Sequence, residues 1–297
     1  VINRVTQQTV QRSTLANLQM NLSKMADLQG QMSSGKIITK ASDDPSSAGR
    51  AMSYRAEKAA SEQALRNATD GESWLSQIDS TLQSAVSALR RARNLTVQGA
   101  NSGAMGDTSR EAIAVDIDGL RDALLDLANT KLDGRSIFAG TTSTAAAFSD
   151  TAGGYAWNGV AGSAVTRRIG PEATVRVDAD GSAAFGEGAA SVFQLLDDIS
   201  ADLRAGVDVA PRLAEIDTRL DAMLSTLSDV GTRYSQITEA KSSLEFRVQD
   251  LTSRISGLED IDLAKAVLEL QMQEVAYQGA LGATSRVLQP TLLDYLR

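Results

Sequence analysis

The sequence predicts a mainly α protein. It reads as a long antiparallel, coiled-coil-like helical bundle drawn from both chain ends, with one small β-rich domain inserted in the middle. Three observations carry this. A heptad seam runs through the C-terminal half, shorter echoes of it fill the N-terminal half, and glycines with aromatics gather between the two.

The seam consists of Ile216, Leu220, Met223, Leu227, Val230, Tyr234, Ile237, Lys241, Leu244, Val248, Leu251, Ile255 and Leu258, with spacings that alternate 4 and 3. Twelve of these 13 are apolar, which predicts one long helix with a continuous stripe to cover. Covering each large apolar side chain is worth roughly 1.5–3 kcal/mol, so the stripe needs a partner, expected within the chain. Lys241 is the one break, a residue type that can set register at a cost in stability.

The N-terminal half repeats the rhythm. Leu15, Leu18, Leu22 and Met25 mark a first helix, with Met32 continuing it. Leu75, Ile78, Leu82, Ala85, Leu89 and Ala92 mark a second, and Ile113, Ile117, Leu120, Leu124 and Leu127 a third. These three are the expected partners of the late seam. Ser42-Asp43-Asp44-Pro45 reads as a helix start, because an acceptor side chain precedes a Pro at the first helical position. Asp133-Gly134 reads as the cap closing the third helix. Asp260–Asp262 interrupts the seam and restarts a last helix. That helix carries Leu263, Val267 and Leu270 on one line and Leu268, Met272 and Val275 on another. Two apolar lines leave it adhesive on more than one side.

Ten of the 23 glycines fall between Gly134 and Gly188, together with Phe138, Phe148, Tyr155, Trp157 and Phe185. Ser136–Ala139 reads as a short strand. Val175 and Val177 alternate with Arg176 and Asp178 ahead of an Asp180-Gly181 turn. The expected division is an N-terminal assembly helix (1–40), two halves of a bundle (41–133 and 191–258), the β-rich outer domain (134–190) and a C-terminal assembly helix (259–297).

Composition narrows the function. The chain has no His and no Cys, which removes imidazole bases, His-ligated metals, thiol nucleophiles and disulfides. Aromatics make up 4% against 42% hydrophobic residues, a mix suited to helix packing rather than an aromatic-lined pocket. The net charge of −8 argues against nucleic acid as a partner. No apolar run approaches the ~18–20 residues of a membrane helix, so no membrane insertion is expected. Val1–Gln19 is polar and amphipathic, and a cleavable secretory signal is not expected there.

The remaining candidate sites have plainer readings. Ser33-Ser34-Gly35-Lys36 matches Ser-x-x-Lys, yet no Lys-Thr-Gly or Ser-Asp-Asn element accompanies it. Asp43-Asp44 and Glu259-Asp260 fit helix starts, where negative charge is favourable. Asp197-Asp198 and the Arg90, Arg91, Arg93 cluster fit solvated helix faces. No catalytic, cofactor or metal residue is assigned, and the chain reads as a non-enzyme.

Several blocks then coincide with one superfamily. Leu28-Gln29-Gly30-Gln31-Met32-Ser33-Ser34-Gly35-Lys36-Ile37, followed by Ala41–Pro45 and Gly49, resembles the N-terminal block of bacterial flagellins and their hook-associated relatives. Glu259–Ala264, Leu270–Gln273 and Tyr277–Leu281 resemble the matching C-terminal block, and Gly231-Thr232-Arg233 fits the opening of the late helix. Within the superfamily, Gly134, Ile137, Phe138, Ala139, Gly140 and Thr141 resemble an element of the hook–filament junction branch, with Ser136 where Tyr often stands. The tail Pro290–Leu296 and the stretch from Gly153 to Gly181, like that branch's single small β domain, point the same way.

The resemblance spans essentially the whole chain and implies a structural subunit of an extracellular organelle. The implied partners are copies of itself in a ring or layer, another hook-associated junction protein on the hook side and flagellin on the filament side. It further implies type III export by the flagellar apparatus, with an export chaperone as a candidate partner. The readings in competition are a flagellin proper and, from another class, a cytoplasmic coiled-coil scaffold.

Overall fold

The structure, a computed structural model, describes residues 7–101, 106–142, 146–151 and 154–287. Gly153 and the tail Pro290–Leu296 lie outside them. The chain divides into two compact units, residues 1–59 with 248–297, and residues 60–247. Among the described residues there are seven helices and six short strands.

The unit of residues 60–247 is built on two long helices, α2 (Pro45–Ala100) and α6 (Arg212–Glu259). Leu75, Ile78, Leu82, Ala85, Leu89 and Ala92 of α2 are fully buried. On α6 every second seam residue from the start, Ile216, Met223, Val230 and Ile237, is fully buried as well. Leu220 is buried, and Leu227, Tyr234 and Leu244 are partly buried against the same core. Helix-to-helix approach is close at Gly71, where an added Cβ would lie 2.8 Å from Ile237 Cδ1. Lys241, the break in the seam, places its Nζ 2.7 Å from Glu72 Oε2. Gly231-Thr232-Arg233 lies inside α6 rather than opening it, because the seam begins already at Ile216. Arg233 Nη1 donates to the Asp178 carbonyl at 2.8 Å, tying α6 to the middle region.

The third helix, α3 (Asp107–Ala128), packs chiefly on α5 (Val192–Ala205), a helix that the seam analysis did not isolate. Ser191 caps α5 by accepting from Gln194 N, and Gly206 at φ +68 ends it in the left-handed region. Val192, Phe193, Leu195, Leu196, Ile199 and Leu203 are buried. The α3–α5 surface is laced with ion pairs. Asp197 accepts from Arg121 and, at 2.9 Å, from Tyr155 Oη, so Asp197-Asp198 is not the solvated face expected. Burial raises the Tyr155 pKa, and Asp197 adds to the shift.

The middle region holds three two-stranded antiparallel sheets. They pair β1 (Lys131–Leu132) with β2 (Arg135–Ser136), β3 (Phe148–Thr151) with β4 (Gly154–Trp157), and β5 (Thr166–Arg168) with β6 (Thr174–Arg176). Asp133-Gly134 is the β1–β2 turn, with φ of 49° and 77°, and not a helix cap. Helix α3 stops earlier, at Ala128. The side-chain amide of Asn129 then donates to Phe148 O (3.1 Å) and accepts from Phe148 N (2.8 Å), as a strand would. Asp180-Gly181 is likewise no strand turn. Asp180 caps the short helix α4 (Gly181–Phe185). Phe138, Phe148, Phe185, Phe193 and Tyr155 form a chain of ring contacts that fills this region. Trp157 Nε1 donates to Phe138 O at 2.8 Å.

Candidate functional site

The other unit carries the terminal helices α1 (Gln7–Ser34) and α7 (Leu263–Val287). They lie antiparallel and pack on one another, with Ile261 N donating to Gly35 O (3.0 Å) at one end and Gln273 Nε2 to Asn21 O (3.5 Å) farther along. The half-buried residues of α1 step by 4 and 3 through Thr14, Leu18, Asn21, Met25, Leu28 and Met32. On α7 the covered positions are Ala266, Leu270, Gln273, Tyr277, Ala280 and Thr284, with Glu269 half-buried beside Leu270.

The expected assembly residues therefore fall into two sets. Leu18, Met25 and Leu270 lie along the covered seam of the hairpin. Leu15, Leu22, Leu263, Val267, Leu268, Met272 and Val275 are exposed, Val275 at 69%. Leu268, Met272 and Val275 fall on one heptad line of α7 and wall a shallow depression with Gln271. Gly279 and Gly282 extend that line, and an added Cβ at either meets nothing within 4 Å. The late part of the long seam belongs to this unit too. There Leu251 is buried, and Val248, Ile255 and Leu258 are half-buried.

At the base of the hairpin the two terminal blocks meet. Helix α1 ends in a Schellman turn, with Gly35 at φ +69 and Lys36 N donating to Gln31 O at 3.2 Å. Ile37 N then donates to Glu259 O at 2.6 Å. With the Ile261–Gly35 bond, this makes a small antiparallel bridge between residues 35–37 and 259–261. Beyond it, Asp43 folds the connector back by accepting from Lys40 N (2.8 Å) and from Thr39 N and Oγ1. Asp44 caps α2 by accepting from Ser46 N (3.0 Å) and Ser47 N (3.1 Å), as the Asp-Pro start requires. Asp262 does the same for α7 through Ala264 N and Lys265 N.

Glu259 is the exception to the sequence reading. It closes α6 instead of opening a helix, and its exposure is only 4%. A carboxylate at a helix C-terminus faces the unfavourable end of the dipole. Lys36 Nζ at 2.7 Å and Arg55 Nη2 at 2.6 Å, both on Oε2, compensate it. The Lys36 hydrogen bond is the largest cause holding the Glu259 pKa below its ordinary value, against burial. Lys36, the lysine of the Ser-x-x-Lys match, thus serves a carboxylate. Periodicity could not reveal the trio. Its signal was the pair of terminal sequence blocks around Lys36 and Glu259, more than two hundred residues apart.

Elsewhere, the junction-type element is structural in its geometry. Gly134 makes the hairpin turn, Ile137, Phe138 and Ala139 are fully buried, Gly140 takes φ +62, and Thr141 is exposed. Arg93 pairs with Asp217 through two hydrogen bonds, at 2.6 and 3.2 Å, while Arg90 and Arg91 are exposed. Among the described residues no group of His, Cys, Asp or Glu could hold a metal, and no helix is long and apolar enough to cross a membrane.

Fold and site together define a helical structural subunit whose terminal hairpin offers apolar lines to further helices. The N-terminal helical region of bacterial flagellin matches residues 5–143, and its C-terminal helical region matches residues 213–296. The chain belongs to the bacterial flagellin family. It is 26% identical to the flagellar hook-associated protein 3 of Salmonella typhimurium, covering 93% of this chain and 94% of that protein. It is 28% identical to that of Escherichia coli, over 84% and 86%. Among solved structures, Bacillus cereus FlgL matches with a TM-score of 0.59 and 26% identity, over 69% of this chain and 99% of that one.

Proposed function

We propose that this chain is a structural subunit of the bacterial flagellum that forms the adaptor layer at the hook–filament junction. The observation that carries the reading is the outward apolar set on the terminal hairpin, above all Leu268, Met272 and Val275. Such residues gain roughly 1.5–3 kcal/mol each when covered, and they lie off the hairpin's own seam. Copies of the chain in a ring or layer supply the cover. The junction position rests on relatives named flagellar hook-associated protein 3 and on the Gly134–Thr141 element.

In this reading a second hook-associated protein lies on the hook side and flagellin on the filament side. The middle region faces outward, and the chain reaches its place outside the cell through the flagellar export apparatus. Its role is structural and involves no catalysis. The test is to seed purified protein on isolated hooks and to locate it with antibody. A short terminal layer at the hook end is expected. Unlimited fibres would show a flagellin proper, and a chain absent from the hook–filament structure would end the reading in favour of a scaffold.

A further inference from the structure

The hairpin's seam is poor at defining its own register. Thr14 and Asn21 interrupt it on α1, Gln273 and Thr284 do so on α7, and Ala266 and Ala280 contribute only small apolar side chains there. Gln273 of α7 donates across the hairpin to the Asn21 backbone carbonyl, a group every residue offers. Sliding α1 past α7 by one heptad keeps apolar residues facing the seam, so packing alone discriminates weakly between the two arrangements. Charged groups in fixed positions discriminate strongly, because a misplaced carboxylate loses its partners in a partly dry site.

We propose that Glu259, held by Lys36 and Arg55, is the positioning residue that sets the stagger of α1 against α7. Lys36 stands two residues beyond the end of α1, and Glu259 stands four residues before the start of α7. Arg55 on α2 fixes the same carboxylate oxygen from a third element. A slip of one heptad, about 10 Å, would carry Lys36 out of reach of Glu259 and break both backbone bonds of the 35–37/259–261 bridge. The clasp thus gives the two helices one register, and so one pattern of exposed residues, whenever they pair. Its consequence for assembly rests on the function proposed above, but the clasp itself does not.

The absence of native cysteine gives a clean test in the full chain. Three double variants are oxidised side by side: Asn21→Cys, Leu28→Cys or Thr14→Cys, each with Gln273→Cys. In the wild-type background the 21–273 pair should close at least tenfold faster than the two slipped pairs. Adding Glu259→Ala should let the 14–273 or 28–273 pair rise to within about threefold of it. Unfolding of the other unit, followed in the same samples, should be unchanged. The proposal is overturned if 21–273 stays dominant in Glu259→Ala, or if the parent background shows no preference. Polymerisation does not enter this readout, so failure of the junction reading would be seen separately, in the hook-seeding experiment.

Discussion

At the scale of single residues, three carboxylates near the clasp do different work with one chemistry. Asp44 and Asp262 each cap a helix start, where backbone N–H groups need acceptors. Glu259 stands at a helix end, where only neighbouring cations make a negative charge tolerable. Its pKa in the folded chain lies below its free value. The clasp is therefore complete above the free value of about 4.3 and fades as pH falls through the lower, folded value. Hydrogen exchange of the Ile37 and Ile261 amides, corrected for intrinsic rates, should show protection falling over that acid range. Glu259→Gln should remove the Glu259 share and leave the share due to Asp43 and Asp44, whose values are also lowered. Identical acid profiles in parent and variant would rule out the assignment.

At the scale of elements, folding and assembly use different faces, and substitutions should separate them. Ile237 is fully buried in α6, so Ile237→Ala should cost about 2–5 kcal/mol in chemical denaturation. Met272 is 57% exposed on α7, so Met272→Ala should leave that transition almost unmoved while slowing incorporation onto hooks. A shared loss of stability in both variants would contradict the separation. The long helices were legible because their apolar spacing repeats often enough to outweigh chance, and Pro45 and Asp44 fixed one boundary outright. The hairpins were less so. Asp-Gly serves helix ends and strand turns equally well, and only the position of Asn129 decides between them. Helix α5 has apolar residues at helical spacing, with Ser191 before and Gly206 after. It escaped because, at fourteen residues, its stripe is too short to stand out beside α6. The clasp was illegible to periodicity altogether, since three charges on three elements carry no repeat.

For the whole molecule, the two units differ in how they are held. Residues 60–247 enclose an apolar core that includes a chain of aromatic ring contacts. The terminal hairpin has a half-covered seam, one clasp and a large exposed apolar set. Hydrogen exchange on the soluble subunit should accordingly show α1 and α7 opening often, with protection arriving on assembly. Strong protection at Leu22 or Leu270 in the lone subunit would contradict coupled ordering of the ends. Lys36 and Glu259 are 223 residues apart in sequence. On a ribosome adding 5–20 residues per second, the first helix waits roughly 10–45 s before its clasp residue exists. Throughout that interval the leading segment displays Leu15, Leu18, Leu22 and Met25 to the cell with no native partner available, a window in which a holding factor or a rapid exit is worth more than intrinsic stability.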